Sequence, residues 1–500
     1  MIQTKTTRRA MTLLIALVCL CTIASTASLQ KTIQRLPGEP WRKHPPEATA
    51  ARPFKLPATR EIKLGNGLTL VFIEDHRAPV VTILAGIPVE VASSRDISEL
   101  TNEMALTEAT AELITEGTGS RSSAEVALEV ETLGGRLSSS ANDDYAWVTI
   151  SVVAENTERM LELLGDVLLR PAYPEAEVEL YKRNRIQKVV VQRQDPSFLA
   201  GEQFDRIVYG THPYAISAPT PASIDALDRD KIVRFHNAQF TPGGSVVVIA
   251  GDFNASRIET KSREVLGQWK AASKKPVDQP ILPGPSGTTD ARIFLIDRPG
   301  SAQSDFRIGA VAVKRSDPDY FPLLVANAVL GAGTASRLFL NIREKKGYAY
   351  DVFTSLDALK EAGTFLGGAE TRTEVTVSAI KEMWAEFDKL RTVQVGDEEL
   401  QNAKNYLNGL FSLSLSTQGG VAERVLQSHM LDLGPDYLET YRSRIETVTA
   451  DQVQKVARKY ILTDRATIVV VGDAAKLRRE MASLGRVSEI ISSVESKPKS

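Results

Sequence analysis

Cysteine is almost absent from this chain: two residues in 500, Cys19 and Cys21, both inside one apolar run near the N-terminus. Once that run is removed, no disulfide framework, thiolate metal site or cysteine nucleophile remains. Histidine is scarce too. His44, His76, His212, His236 and His429 are scattered, and no pair has the i, i+4 spacing of a helical metal site. Net charge is also lacking, at −2 with acidic and basic residues interspersed, so nothing favours nucleic acid or a membrane surface as partner. Charge runs such as "REKK" at 343–346 read as solvated surface. The apolar run is about 14 residues, short of the roughly 20 that span a bilayer.

That run has a role of its own. Lys5, Arg8 and Arg9 precede "MTLLIALVCLCTIA", and "STAS" supplies small residues for cleavage near Ala27, which is the pattern of an export signal. "TRRAMT" loosely resembles a twin-arginine signal, and both export routes stay open. Residues 1–27 are therefore expected to be removed, leaving a cysteine-free periplasmic protein. Its 43% hydrophobic content is that of a globular protein with a real core, and its length suits two or more domains.

Proline-rich residues 28–58 read as an extended lead-in, and "KKPVDQPILPGPSGTTD" at 274–290 as a linker. Between and after them lie blocks of similar size, 59–273 and 291–485, followed by a tail, 486–500, expected to be disordered. The blocks repeat one another. Ile224 and Ile445, Asp230 and Asp451, Phe240 and Ile461, Gly251 and Gly472, Asp252 and Asp473 are each 221 positions apart. Each copy reads as an amphipathic helix followed by a buried Val/Ile strand ending in Gly-Asp. An ancient duplication is implied. Strands such as "REIKLGNGLTLVFIEDH" and "YAWVTISVVA" mix with helices such as "SAEVALEVETLGG" without strict alternation. This predicts two α+β domains, each a mostly antiparallel sheet packed with helices.

Six segments then become specific in combination: "TREIKLGNGLTLVFIEDHRAPVV", "HPYAISAPTPASIDAL", "FTPGGSVVVIAGDF", "DRPGSAQSDFRIG", "LGAGTASRLFLNIREKKGYAYDV" and "VVVGDA". In this order and spacing, over roughly 59–480, the chain resembles the M16 metallopeptidase family of pitrilysin, insulinase and the processing peptidases. Active members carry an inverted zinc signature, H-x-x-E-H, shortly before a Gly-Thr. Two histidines on one helical face hold the metal and the glutamate activates its water. Counted back from Gly117-Thr118, the histidine positions are Glu108 and Glu112, and the general base is Ala111. The family's third ligand, counted back from Asp195-Pro196, falls on Lys188. Catalytic zinc is not expected in this chain. Glu108 or Glu112 paired with Lys188 is the plain reading of the site; a hard-metal site on the two glutamates is the alternative.

The second block keeps what the first has lost. Gly331 and Gly333 preserve a Gly-rich turn, which the resemblance makes substrate-binding, and Arg343 and Tyr350 preserve the R-x6-Y pattern. In two-domain family members such an Arg and Tyr contact substrate and help the oxyanion form, as a fixed guanidinium and phenol can. The plainer alternatives are a salt bridge for Arg343 and a half-buried strand aromatic for Tyr350. The resemblance implies the non-zinc subunit of a heterodimeric periplasmic peptidase, with zinc in the partner and peptide bound as an added strand. An inert scaffold or peptide-binding homologue is one other reading, and a peptidase active alone with an unusual metal is another.

Overall fold

The computed structural model describes residues 57–90, 94, 96–270 and 291–490. The expected signal peptide, all but the last two residues of the lead-in, the linker at 274–290 and residues 491–500 of the tail lie outside the described residues.

Two six-stranded sheets dominate. The first contains β1 (Thr59–Lys63), β2 (Thr69–Glu74), β3 (Val80–Pro88), β4 (Arg136–Ala141), β5 (Tyr145–Val153) and β6 (Val246–Gly251), in the order β1-β2-β6-β3-β5-β4. The second contains β7 (Arg292–Asp297), β8 (Gln303–Val311), β9 (Ala349–Ala358), β10 (Gly363–Arg372), β11 (Thr467–Gly472) and β12 (Val487–Ile490), in the order β12-β7-β11-β8-β10-β9. Five strands correspond one to one. The sixth differs: β1 joins antiparallel to β2, whereas β12 joins parallel to β7. That last strand corrects the expected boundary at 485, because residues 487–490 complete a sheet. Both sheets are mostly antiparallel, with β2–β6, β7–β11 and β7–β12 the parallel pairs.

The helices are α1 (Ile97–Leu113), α2 (Ser123–Thr132), α3 (Thr157–Leu169), α4 (Glu175–Gln192), α5 (Pro196–Tyr209), α6 (Pro221–Asp225), α7 (Arg229–Gln239) and α8 (Ala255–Leu266) in the first half. The second half has α9 (Tyr320–Leu330), α10 (Thr376–Thr392), α11 (Asp397–Ser414), α12 (Gln418–Met430), α13 (Tyr437–Glu446), α14 (Ala450–Tyr460) and α15 (Ala474–Met481). The 221-residue repeat is visible directly. α7 maps onto α14 and β6 onto β11 with both ends in register. β6 and β11 are buried along their whole length, which is why each reads as a continuous apolar run rather than an alternating one.

Each half lends one helix to the other. Leu199, Ala200, Phe204 and Val208 of α5 pack with Val469 and Val471 of β11 and Ile296 of β7. In return, α12 lies on β3 and β6, where Leu426 and Met430 share a core with Leu84 and Val248. Gly86 makes this approach possible, since a Cβ there would stand 2.7 Å from Leu426 Cδ1. Polar contacts tie the same junction: Arg307 Nη2 donates to Ser197 Oγ at 2.6 Å, and Gln418 Nε2 to the Asp75 carbonyl at 2.6 Å. The result is a pseudo-symmetric pair of α+β halves, interlocked by exchange.

Candidate functional site

The first candidate site lies between α1 and α4. The α1 N-terminus is fixed by Asp96, whose carboxylate accepts from the Ser98 amide at 2.8 Å. About three and four turns on, its face toward α4 carries Glu108, Ala111 and Glu112. Ala111 is 1% exposed and belongs to the first half's core, so the general-base position offers only a methyl group.

Glu108 does not pair with Lys188. Its carboxylate is gripped by the Arg185 fork, with Nε to Oε2 at 2.8 Å and Nη2 to Oε1 at 3.0 Å. Arg185 is 8% exposed, and its Nη1 also donates to Gln192 Oε1 at 3.2 Å. This corrects the expected ion pair, and the reason is geometric. Arg185 stands one turn before Lys188 on the same helical face. A planar guanidinium satisfies both carboxylate oxygens, which an ammonium on an exposed lysine does not. Lys188 contributes only its charge, acting on Glu112. Glu112 is surface-exposed, yet its carboxyl is raised above its ordinary value, first by desolvation of the oxygens and then by the charge of Glu108. Arg185 and Lys188 pull it the other way. Tyr181, one turn before Arg185, closes the group, its phenol pushed up by burial and by both carboxylates. Motif counting missed Arg185 and Tyr181. Their signal was the 181–185–188–192 face of α4.

These residues do not fit a zinc ion. The donor oxygens of Glu108 are engaged by a buried cation, a second cation stands nearby, and no imidazole is present. Among the described residues, no group of three or more His, Cys, Asp or Glu is placed to hold a metal. The histidines lie apart and are differently engaged. His76 meets Asp252 at 2.5 Å, and His429 meets Glu61 at 3.3 Å. His212 and His236 are each lowered to about 4 by burial.

The second candidate site is built from α9, the turn after it, and β9. Gly331 ends α9, and a Cβ there would stand 2.3 Å from the Thr354 backbone nitrogen. Gly333 has φ of +115° and lies against the Tyr406 ring of α11. The turn is further pinned by Arg337, whose Nε and Nη2 each reach a Glu399 oxygen at 2.7 Å. It leads into a π-helical segment, Phe339–Lys345, a rare geometry that recurs at functional sites.

Arg343 stands on that segment. Its guanidinium carbon is 4.6 Å from the Phe339 ring centroid and 4.8 Å from that of Tyr350, with Glu344 at 3.6 Å. Tyr350 is 83% exposed, which corrects the half-buried alternative. A bulge explains this: Ala349 pairs with Thr371 and Val352 with Ala369, so Tyr350 and Asp351 together oppose Glu370. The extra residue breaks the in-out alternation. The structure thus brings Arg343 and Tyr350 together, and Glu108, Glu112, Arg185 and Lys188 together. Among the described residues, no hydrogen bond or ion pair joins the two groups.

Two family models match. One, "Insulinase (Peptidase family M16)", covers 102–220 and so includes the Glu108 group; the other, "Peptidase M16 inactive domain", covers 226–407 and includes Arg343 and Tyr350. A Streptomyces coelicolor protein described as an uncharacterized zinc protease is 26% identical over 366 residues, 72% of this chain and 79% of that one. The alpha subunit of the Bos taurus mitochondrial-processing peptidase is 23% identical over 385 residues, 71% of each chain. Among solved structures, a peptidase M16 inactive domain from Pseudomonas fluorescens superposes with a TM-score of 0.75 at 23% identity, covering 83% of this chain and 98% of that one. A protease from Helicobacter pylori gives 0.75 at 20% identity, covering 83% and 100%.

Proposed function

Given that this chain belongs to the M16 peptidase family, we propose that it is the non-zinc subunit of a heterodimeric peptidase, lending Arg343 and Tyr350 to a zinc-bearing homologue. The observation that carries this reading is an asymmetry. In the first half the family's metal position is filled by the Arg185–Glu108 fork, while the second half keeps an exposed phenol with a guanidinium against its ring. An exposed tyrosine of 83% would be an odd expense in a scaffold, but it is what a substrate contact requires.

In this reading the partner's own ligands would hold zinc, and the metal would supply Lewis-acid activation of the carbonyl and of the attacking water. Arg343 donates from its guanidinium edge toward the carbonyl oxygen, where negative charge develops, and Tyr350 offers a second donor. A peptide can add to β9, the terminal strand of the second sheet, whose first residues include Tyr350. The kinship with an alpha subunit of a processing peptidase agrees with a role as one subunit of two. The basic and apolar pattern of residues 1–27 supports a periplasmic complex; among the described residues no helix is long and apolar enough to cross a membrane.

The test is affinity purification of the tagged, full-length chain from its own cells, followed by zinc analysis. Recovery of an M16 homologue with an intact H-x-x-E-H, carrying about one zinc per heterodimer, supports the reading. Recovery of this chain alone, with peptidase activity that a chelator abolishes, contradicts it.

A further inference from the structure

We propose that Phe339 is a positioning residue, which together with Tyr350 holds the Arg343 guanidinium against two aromatic rings so that its N–H edge is what a bound peptide meets. That Arg343 meets substrate at all rests on the reading above; the clamp stands on its own geometry.

Both ring centroids lie within the roughly 6 Å over which a ring face attracts a cation, and at nearly equal distances of 4.6 and 4.8 Å. Two local features create this arrangement. Phe339 and Arg343 are four residues apart within the π-helical segment. Its bonds close from i to i+5, as in Lys346 N to Asn341 O at 3.0 Å, and residues four apart lie on one face there as they do in an α-helix. From the other direction, the bulge at Tyr350 and Asp351 turns the phenol out of the β9 alternation and toward the guanidinium. Among the described residues, the only carboxylate paired with Arg343 is its exposed neighbour Glu344, at 3.6 Å, too long to fix the guanidinium's orientation. Ring contact therefore sets the plane. A guanidinium stacked on rings has its faces covered and keeps its in-plane donors, the geometry that recognises a carbonyl or carboxylate. Phe339 is half-buried and Tyr350 exposed, so Phe339 is the fixed wall of the clamp and Tyr350 the one substrate can also touch.

The test uses Phe339→Leu, Phe339→Tyr and Arg343→Ala, each alone, and the Phe339→Leu/Arg343→Ala pair. In the purified chain, the Arg343 Nε–H resonance should lose its ring-current shift in Phe339→Leu and keep most of it in Phe339→Tyr. In the zinc-bearing complex acting on a quenched fluorogenic peptide, Phe339→Leu should lower kcat by about 2- to 30-fold, the range an aromatic–cation contact spans. Phe339→Tyr should stay near wild type, and Phe339→Leu should have no further effect once Arg343 is alanine. If Arg343→Ala impairs turnover while Phe339→Leu does not, or if Phe339→Leu is as harmful without Arg343 as with it, this inference fails alone. If Arg343→Ala itself leaves turnover unchanged, the inference fails together with the functional reading beneath it. An unmoved Arg343 resonance in a folded Phe339→Leu chain overturns the clamp whatever the kinetics.

Discussion

Arg185→Met is the perturbation that reads most directly on the first site. It removes a buried guanidinium and leaves Glu108 facing Glu112 without a fork. Two unit charges about 4 Å apart attract by roughly 4 kcal/mol at an effective dielectric of about 20. Glu108 keeps about a fifth of its side-chain surface, 21%, so it can rehydrate or take a proton and recover part of that loss. The expected cost is about 2–3 kcal/mol, at or below the low end for breaking a buried pair. Glu108→Met alone should cost a similar amount, because it strands Arg185. The double variant should lie near wild type, so the two single costs appear together as a coupling of about 4–6 kcal/mol in a double-mutant cycle read from urea denaturation. The same fork governs metal. Glu108→His, Ala111→Glu, Glu112→His and Lys188→Glu restore the signature but leave a buried cation against it. That set should bind zinc at least about 100-fold more weakly than the same set with Arg185→Gln, since one cation beside a dication costs several kcal/mol at that dielectric. Equal zinc affinity with and without Arg185, or additive single-variant costs, would refute the reasoning.

Gly331→Ala should destabilise the second half by about 1–3 kcal/mol, because its Cβ would press on the Thr354 backbone nitrogen at 2.3 Å; denaturation of the purified variant checks this. Asp205 is pushed up to about 7, chiefly by desolvation and also by the charges of Asp357 and Glu202, against Ser217 and Arg307. Between its ordinary 3.8 and about 7 the native state holds more protons than the unfolded one, so this group's contribution falls as pH rises and levels off above about 7. Asp205→Asn should therefore match wild type near pH 4 and become progressively more stable than it toward pH 8 in a denaturation series; a constant difference across that range would be the contrary result. The mature protein should begin near Ser28, and N-terminal sequencing of periplasmic material decides it, with an uncleaved cytoplasmic chain as the opposing outcome.

The duplication was legible because a helix followed by a buried central strand keeps its length: α7–β6 and α14–β11 repeat without a gap. The exchange of α5 and α12 was not, since amphipathicity says that a face will be buried but not against which sheet. In the first site, motif spacing located Glu108, Ala111 and Glu112 on α1 but pointed to Lys188 on α4. The cation that closes on Glu108 is one turn away, and only side-chain shape favours it. In the second site, the R-x6-Y spacing located Arg343 and Tyr350. Phe339 and the bulge stayed hidden because π-helical segments and bulges break the very periods by which helices and strands are read. The parallel β12 was hidden as well, being four residues next to a polar tail.

The central claim is that this chain completes another subunit's active site from the Arg343–Tyr350 end. The measurement that tests it most directly is turnover of the zinc-bearing heterodimer carrying Arg343→Ala or Tyr350→Phe, with assembly and zinc content measured on the same samples. The account predicts normal assembly, unchanged zinc and a loss in kcat on the order of 10²–10³ for removal of one oxyanion donor. Wild-type turnover from fully assembled variants would contradict it and leave the chain a scaffold.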